Sequence, residues 1–600
     1  DGKVVDVVDP IWERVSSSAN AASQTATITV KGTDKYFKSS NLTANDIKVF
    51  VNGAEVTTNI NKSITDAKQP VYASDGITKI GESYTISLSG SGLAKDANQI
   101  KIQIQPNTIT DNSNRTNKAT DLLVFNALRK TDTETEATSG FLGSASSTNS
   151  KIKAIQRQNI DNITFMDNIP SSIYDKSAKK IVNEDTTWDV SAMQDKSILA
   201  WYTTNANGSL KVYIGSDNEI FGNYNSSYLF AYIGYSSKCT STETITNIKS
   251  LNVNSVDNMS YMFRNTGYNA MTKLELGDSF YTSNVTNMSY MFAGTGNKKM
   301  TTLNFGNVFN TIKVTNMSHM FDSTGYTAMT TLNFGSTFNT SIVTNMSGMF
   351  QNTGYTAMTG LDLGGNFKTS KVIDMSYMFA NTGHNAMTSL NLRSEFDTTL
   401  VTNMREMFNG CGKNALEALD LGTKFNTQKV TDMNAMFADC GSKITKLDLG
   451  DIFYTTNVKD MYHMFYNCGS SLMTELDLGP AFTRIPSDRI TATSTAHNGY
   501  DGMFDGTGKT KEIKIQASEQ IYFDKNNFKL NTDATSSTIN YTRGIINPKY
   551  RTEWLKEASE LTIDNSNLKN SKITVTLRGR TNAEAGKDFT SNVTSSLTAD

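Results

Sequence analysis

An Asn-Met-Ser-Tyr-Met-Phe frame opens at Asn258 and returns with its first methionine at positions 259, 288, 317, 346, 375, 404, 433 and 461. The spacing is 29 residues six times and then 28. A divergent ninth copy ends at Met503-Phe504, after an insertion around Pro480 to Tyr500. A period of this length marks a repeat architecture: one unit cannot bury its apolar face alone, so neighbours must stack.

The columns of the repeat have physical meaning. One runs from Leu274-x-Leu276 to Leu476-x-Leu478, and alternation over three residues predicts a short strand with two side chains pointing inward. A glycine follows in most copies, Gly277, Gly306, Gly335, Gly364, Gly422, Gly450 and Gly479, where the chain can turn with positive φ. Phenylalanine and valine columns come next, then Thr/Lys-Asn/Asp-Met-x-x-Met-Phe. Methionine at i with Met-Phe at i+3 and i+4 predicts a short helix, with the Asn or Asp before it as N-cap. Each unit therefore reads strand, turn, short helix, turn, and stacking should join the strands into one parallel sheet. The 25 methionines read as polarizable core filler that the columns repeat.

Val-Thr-Asn-Met-Ser-Tyr-Met-Phe at 285–292 and Leu-Asp-Leu-Gly at 361–364 resemble the BspA-type leucine-rich-repeat surface proteins of bacteria. The resemblance extends upstream, through Trp188-Asp-Val-Ser191 and Val212-Tyr-Ile-Gly215, and covers roughly 155–515. It implies an extracellular protein on a bacterial cell surface, the Gram-positive cell wall in particular, and it implies no chemical reaction.

The expected fold is mainly β with short helices: a leucine-rich-repeat solenoid of about nine coils, preceded by an Ig-like β-sandwich and followed by the start of a second. Residues 1–128 carry alternating runs at Thr25–Gly32, Asp46–Gly53, Ser83–Gly90, Gln99–Gln105 and Thr120–Leu128, with Asn52-Gly53 as a hairpin turn. Residues 129–150 read as a Ser/Thr-rich linker, 151–250 as the N-terminal cap, 251–515 as the solenoid and 516–558 as the C-terminal cap. Residues 559–600 read as the opening of the second Ig-like domain, since Ser571-Lys-Ile-Thr-Val575 echoes Ala26-Thr-Ile-Thr-Val30. The tail is thus expected to belong to a longer polypeptide, or to be completed by strand addition from a neighbouring subunit.

Charge and composition narrow the function. Lys+Arg is 56 against Asp+Glu 58, a net charge of -2, without the basic excess of a nucleic-acid binder. No apolar run approaches the roughly 18 residues of a membrane span, so no membrane insertion is expected in this segment. The opening residues carry no signal-peptide pattern. Four Cys and four His exclude a disulfide scaffold or a zinc-rich protein. Cys411, Cys440 and Cys468 share a column with Thr266, Thr295, Thr324, Thr353 and Thr382, which reads as a run of small buried side chains rather than a disulfide or a zinc site. His319, His384, His463 and His497 form no catalytic arrangement and are expected at the surface.

Two columns are candidates for partner binding. The outward residue between the strand leucines reads Glu275, Asn304, Asn333, Asp362, Asn391, Asp420, Asp448, Asp477, so Asp362, Asp420, Asp448 and Asp477 offer a docking face for a basic partner. The plainer reading is a solvated polar face. Tyr326 and Tyr355 share a position with Tyr268; exposed tyrosines in a row suit a binding surface, and equally suit a cover for the apolar columns beneath. No catalytic residue, cofactor or metal ligand is expected. The functional expectation is a non-enzymatic surface protein that contacts a protein or other macromolecule on host, matrix or neighbouring bacteria. The alternative is a structural subunit of a filament, stalk or surface layer, with self-association through the unfinished tail.

Overall fold

The structure is a computed structural model. It describes residues 7–20, 23–65, 68–131, 139–482, 503–504 and 506–508, and five strands within 513–598. The chain is mainly β; among the described residues the α-helix is the four-residue Ser150–Lys153. Two compact units are distinguished. One comprises Asp1–Met262, Leu276–Thr286 and Gly306–Asn310, the other Phe263–Glu275, Asn287–Phe305 and Thr311–Asp600.

The first unit begins with two antiparallel sheets. Lys79–Ser89 is flanked by Thr25–Thr33 and by Asn61–Ile64 and Gln69–Tyr72, with Ile11–Asn20 outermost beside Thr25–Thr33. The other sheet orders Thr120–Asn126, Gln99–Ile104, Ile47–Val51 and Ala54–Glu55. Alternate residues of both, such as Ile28, Val30, Ile86, Val49 and Ile102, are buried in one core. Asn52 and Gly53 have φ of 50° and 82° and join Val51 to Ala54, the two-residue hairpin turn the sequence announces. A second sheet system follows, ordered Thr187–Asp189, Leu199–Thr204, Leu210–Gly215, Ile160–Met166, Ile245–Thr246.

No gap separates these parts at residue 128. Phe125 packs on Phe221 with centroids 4.6 Å apart, and the Leu128 amide donates to the Phe221 carbonyl at 2.8 Å. The expected linker 129–150 is corrected accordingly: Phe141 and Leu142 are fully buried. Arg157, also fully buried, lies over the Phe141 ring and donates to the carbonyls of Gly140, Tyr228 and Leu229 at 2.8–2.9 Å. A Ser/Thr-rich composition concealed the Phe-Leu pair that fastens this stretch.

In the second unit the repeats stack in register, and among the described residues the expected short helices are absent. The reason is where the amides go. In the coil that starts at Asn287, the N–H groups of Met288, Tyr290, Phe292 and Gly294 donate to Asn316, Ser318, Met320 and Asp322 of the next coil at 2.7–3.0 Å. The amides between them, Met291, Ala293 and Thr295, close turns on the residue three positions back. An α-helix would turn every amide inward to i-4. Tyr290 also has φ 56°, which a right-handed helix excludes. The expected N-cap residue opens a turn instead: Oδ1 of Asn287, Asn316, Asn345 and Asp374 accepts the amide two residues on at 2.9–3.0 Å. This column also carries the unbroken parallel ladder, bridging Asn287, Asn316, Asn345, Asp374, Asn403, Asp432 and Asp460 in succession.

The leucine strands form as expected but pair in patches. Lys273–Glu275 joins Thr302–Asn304, Gly360–Asp362 joins Ser389–Asn391, and Lys446–Asp448 joins Glu475–Asp477. Leu332-x-Phe334 and Leu419-x-Leu421 lie outside any strand, so the expected single sheet does not run through all coils. Beyond Glu475–Asp477 the pairing continues parallel through Ile513–Ala517 and Thr538–Arg543, then antiparallel through Glu560–Asp564, Lys572–Thr576 and Ser595–Thr598. Glu560–Asp564 and Lys572–Thr576 pair antiparallel, as do Ile11–Asn20 and Thr25–Thr33. The remainder of the expected C-terminal cap and second Ig-like domain lies outside the described residues.

Inside the stack, Phe292, Phe321, Phe350, Phe379, Phe408, Phe437 and Phe465 lie face to face with centroids 5.4–5.7 Å apart. Two threonine columns handle the polar groups. Thr295, Thr324, Thr353 and Thr382 each donate Oγ1 to a phenylalanine carbonyl at 2.7 Å. Thr311, Thr340 and Thr369 do more: Thr340 Oγ1 donates to the Lys368 carbonyl and accepts the Lys368 amide, both at 2.7 Å. The two columns should therefore differ in tolerance. Thr340→Val leaves two part-buried backbone groups of Lys368 without their partner and is expected to cost about 2 kcal/mol, whereas Thr353→Val strands one buried carbonyl and should cost about 1. Thermal unfolding of both variants, with hydrogen exchange at the Lys368 amide accelerated only by Thr340→Val, checks this ranking.

Candidate functional site: the exposed columns of the coil stack

The outward column ends each leucine strand that forms and holds the same place in the coils of Leu332 and Leu419 where none does, and its first duty is local. Oδ1 of Asn333, Asp362, Asp420, Asp448 and Asp477 accepts the amide of the glycine two residues later at 2.8–3.0 Å. Asn391 does the same to Arg393 at 3.1 Å. Such side-chain turns suit Asn and Asp alike, which explains why both occur along the column.

The four expected aspartates are placed along this one column but are not equivalent. Asp362 is bound by Arg393 of the following coil, with Nε at 2.7 Å from Oδ1 and a second bond from Nη2 to Oδ2; the guanidinium holds its carboxyl below the usual carboxylate range. Arg393 stands where most coils carry glycine, and keeps the left-handed conformation with φ 64°. Asp420 is exposed. Asp448 is exposed, with Lys446 Nζ 4.0 Å away. Asp477 is half-buried; burial pushes its carboxyl up, and the Asp448 charge adds to the effect. The continuous acidic ladder thus begins only beyond Arg393.

Tyr326 and Tyr355 do come together. Their rings stack at 4.6 Å and 5°, and His384 continues the stack on Tyr355 at 4.4 Å. Burial, then the neighbouring tyrosines, push the Tyr326 hydroxyl up. Because the rings cover each other's faces, this row presents edges outward. The parallel column holds Tyr290 on His319 at 4.5 Å. There Gly348 makes room for the imidazole, since a Cβ would lie 2.3 Å from His319 Cε1.

Three histidines join half-buried stacks at the surface: His319 on Tyr290, His384 on Tyr355, and His463 on Tyr462 at 3.8 Å. His497 lies outside the described residues. Cys411, Cys440 and Cys468 are free and buried as expected, and burial raises the Cys411 thiol well above its ordinary value. Cys239, buried elsewhere, is pushed up to about 12 for the same reason, which leaves little thiolate for chemistry. Among the described residues, no group of three or more His, Cys, Asp or Glu is arranged to hold a metal ion. A cleft of about 320 Å³ in the first unit is lined by Arg14, Asp167, Asp217, Glu219 and Lys249 among others; its lining residues lie far apart in the sequence and gave no local signal.

What fold and columns define is a mainly β protein built of stacked repeats with polar exposed rows. The segments 233–355, 300–389, 328–413 and 382–476 match the family model described as Mycoplasma protein of unknown function, DUF285, a BspA-like family of surface repeat proteins. No curated protein and no solved structure matches the chain. No helix among the described residues is long and apolar enough to cross a membrane.

Arg393 gives a direct test of what this column needs. Its pair with Asp362 is solvent-exposed and worth little, while a non-glycine residue in the left-handed region is strained. Arg393→Gly should therefore raise the thermal midpoint, and Arg393→Ala, which keeps the strain and loses the pair, should lower it, each by no more than about 2 °C. Because the folded Asp362 carboxyl titrates below its ordinary value, the pair contributes above that value and fades as pH falls through the lower one. The gap between wild type and Arg393→Ala should close with acidification.

Proposed function

We propose that the chain is a non-enzymatic, extracellular protein of the bacterial cell surface, in the Gram-positive wall, that contacts other macromolecules along a leucine-rich-repeat solenoid carried by Ig-like sandwiches. The observation that carries this reading is the in-register ladder from Asn287 to Asp460. It repeats one side chain per coil along every exposed column, so a partner meets a rigid, periodic row rather than a pocket. The match of residues 233–476 to a surface-type repeat family supports the same reading. So does the engagement of the most regular acidic groups in turns, which assigns them a positioning role before any chemical one.

Multivalent contact along such a row gains avidity without a deep site. The acidic ladder at Asp420, Asp448 and Asp477 and the Tyr326–Tyr355 stack are its contact residues. Asparagine is the appropriate replacement in the acidic column, because Asn333 and Asn391 already close the same turn. Chain-coated beads applied to a panel of matrix glycoproteins test the reading. We expect Asp420→Asn/Asp448→Asn/Asp477→Asn, or Tyr326→Ala/Tyr355→Ala, to reduce retention about 10-fold or more, as loss of a contact cluster does, at unchanged thermal midpoint for the asparagine variant. Retention unaffected by either set, with regular fibres of the purified chain in electron micrographs, would sink it in favour of a filament or surface-layer subunit.

A further inference from the structure

The first unit holds a cleft of about 320 Å³, whose lining the fold assembles from separate strands. Ile160–Met166, Leu210–Gly215 and Ile245–Thr246 run parallel, so their C-terminal ends reach the same edge of the sheet. The segments that leave them are charged. Asp167 directly follows the first strand, Asp217 comes two residues after the second, and Lys249 three after the third. All three line the cleft. A further part of the lining comes from Ile11–Asn20, whose pairing with Thr25–Thr33 shifts register between Arg14 and Ser16. Val15 is the extra residue, and Arg14 and Val15 both line the cleft. Neighbours on a regular strand point to opposite faces, and a bulge re-aims them.

The cleft holds charges of both signs and keeps them apart. Asp167 accepts the Ser250 hydroxyl at 2.9 Å, and Glu219 accepts the Asn252 side-chain amide at 3.0 Å. Asp217 pairs with Lys176 at 2.9 Å, a residue outside the lining. Arg14 donates Nη1 to the neutral Asn218 at 2.6 Å, and its Nε meets no acceptor. Burial pushes the Arg14 guanidinium down from its ordinary value, and the charge of Glu219 opposes that shift. Lys249 is exposed and, among the described residues, makes no ion pair. Opposite charges sharing one cleft ordinarily pair. Here neutral partners hold Asp167, Glu219 and Arg14 in place instead, so fixed acids and free cations are presented together.

We propose that this cleft binds a small zwitterion, a free amino acid or short peptide, with its carboxylate on Arg14 and Lys249 and its ammonium on Asp167 and Glu219. The site does not depend on the contact rows of the coil stack. Its volume is at the small end of ligand sites, which run roughly 300–1,000 Å³. Val15, Met166 and Ile220 give the carbon skeleton an apolar surface. A simple anion would meet repulsion from Asp167 and Glu219, and a simple cation from Arg14 and Lys249. Among the described residues the acids are not arranged to hold a metal ion. A neutral sugar would cover the charges without pairing them, which is costly.

Titration calorimetry of the full 600-residue chain tests this, with the standard free amino acids and trialanine as probes and calcium chloride and sodium phosphate in parallel. At least one zwitterion should bind, and the comparison of amino acids with trialanine tells the two sources apart. Masking either end of that ligand, by N-acetylation or by amidation of its carboxylate, should weaken it about 10-fold or more, as loss of a hydrogen bond to a charged group does. Lys249→Met should weaken the unmasked ligand similarly and change the amidated one by less than about 2-fold, because both changes remove the same contact. Asp167→Asn/Glu219→Gln, whose side chains still accept from Ser250 and Asn252, should likewise spare only the N-acetylated form. Asp175→Asn/Lys180→Met, at exposed positions elsewhere in the first unit, should leave binding unchanged. Binding by no zwitterion, equal binding of the masked forms, indifference to Lys249→Met, equal losses from the control pair, or tighter binding of calcium or phosphate would overturn the proposal.

Discussion

The second unit depends on one constraint: buried backbone amides must be satisfied, and the Asn-Met-x-x-Met-Phe segment of each coil has no helix within which to do it. The chain meets the constraint by dividing its N–H groups. Alternate amides from Met288 to Gly294 reach the next coil, and those between close turns within their own. Because almost every buried backbone polar group in a folded protein is paired, a coil without a neighbour would leave a row of donors open. Stacking is therefore set by hydrogen bonding as much as by the phenylalanine column. The register that serves the amides also brings identical rings face to face, so both demands select the same arrangement.

The side chains complete what the backbone leaves unfinished. Asn287 and its counterparts close the first turn, Asn333 or Asp362 the turn after the strand, and Thr340 satisfies both polar groups of Lys368 across coils. Cysteine replaces threonine at 411, 440 and 468, in the column where the hydroxyl serves only one carbonyl. No cysteine occurs in the column where the hydroxyl serves two groups. The substitution pattern follows the number of bonds each position must make.

Much of this was legible in the sequence, for reasons that can be named. Period and burial were, because the methionine, phenylalanine and leucine columns are apolar in every copy, and all of them lie inside. The five alternating runs of the first 128 residues each hold a strand, since period-2 burial leaves a direct trace. The helices were not legible, because Asn followed by Met-x-x-Met-Phe satisfies an N-cap and a helical face as well as it satisfies a turn that donates its amides outward. Only long-range hydrogen bonding separates the two. The packed stretch around Phe141 was hidden for a related reason: its partner Arg157 and the carbonyls of Tyr228 and Leu229 lie far along the chain. At the candidate site, positions were readable but pairings were not, since Arg393 on Asp362 and His384 on Tyr355 are contacts across coils.

Each coil in the ladder addresses only the coil before and the coil after, through the same atoms at the same offset. A segment of one period could therefore be deleted or duplicated, and the flanking units would meet groups they already fit. Length becomes a heritable variable that changes in whole steps without redesign of the interior. Every row on the outside shortens or lengthens with it, so a lineage could tune grip by copy number instead of by altering any single amino acid.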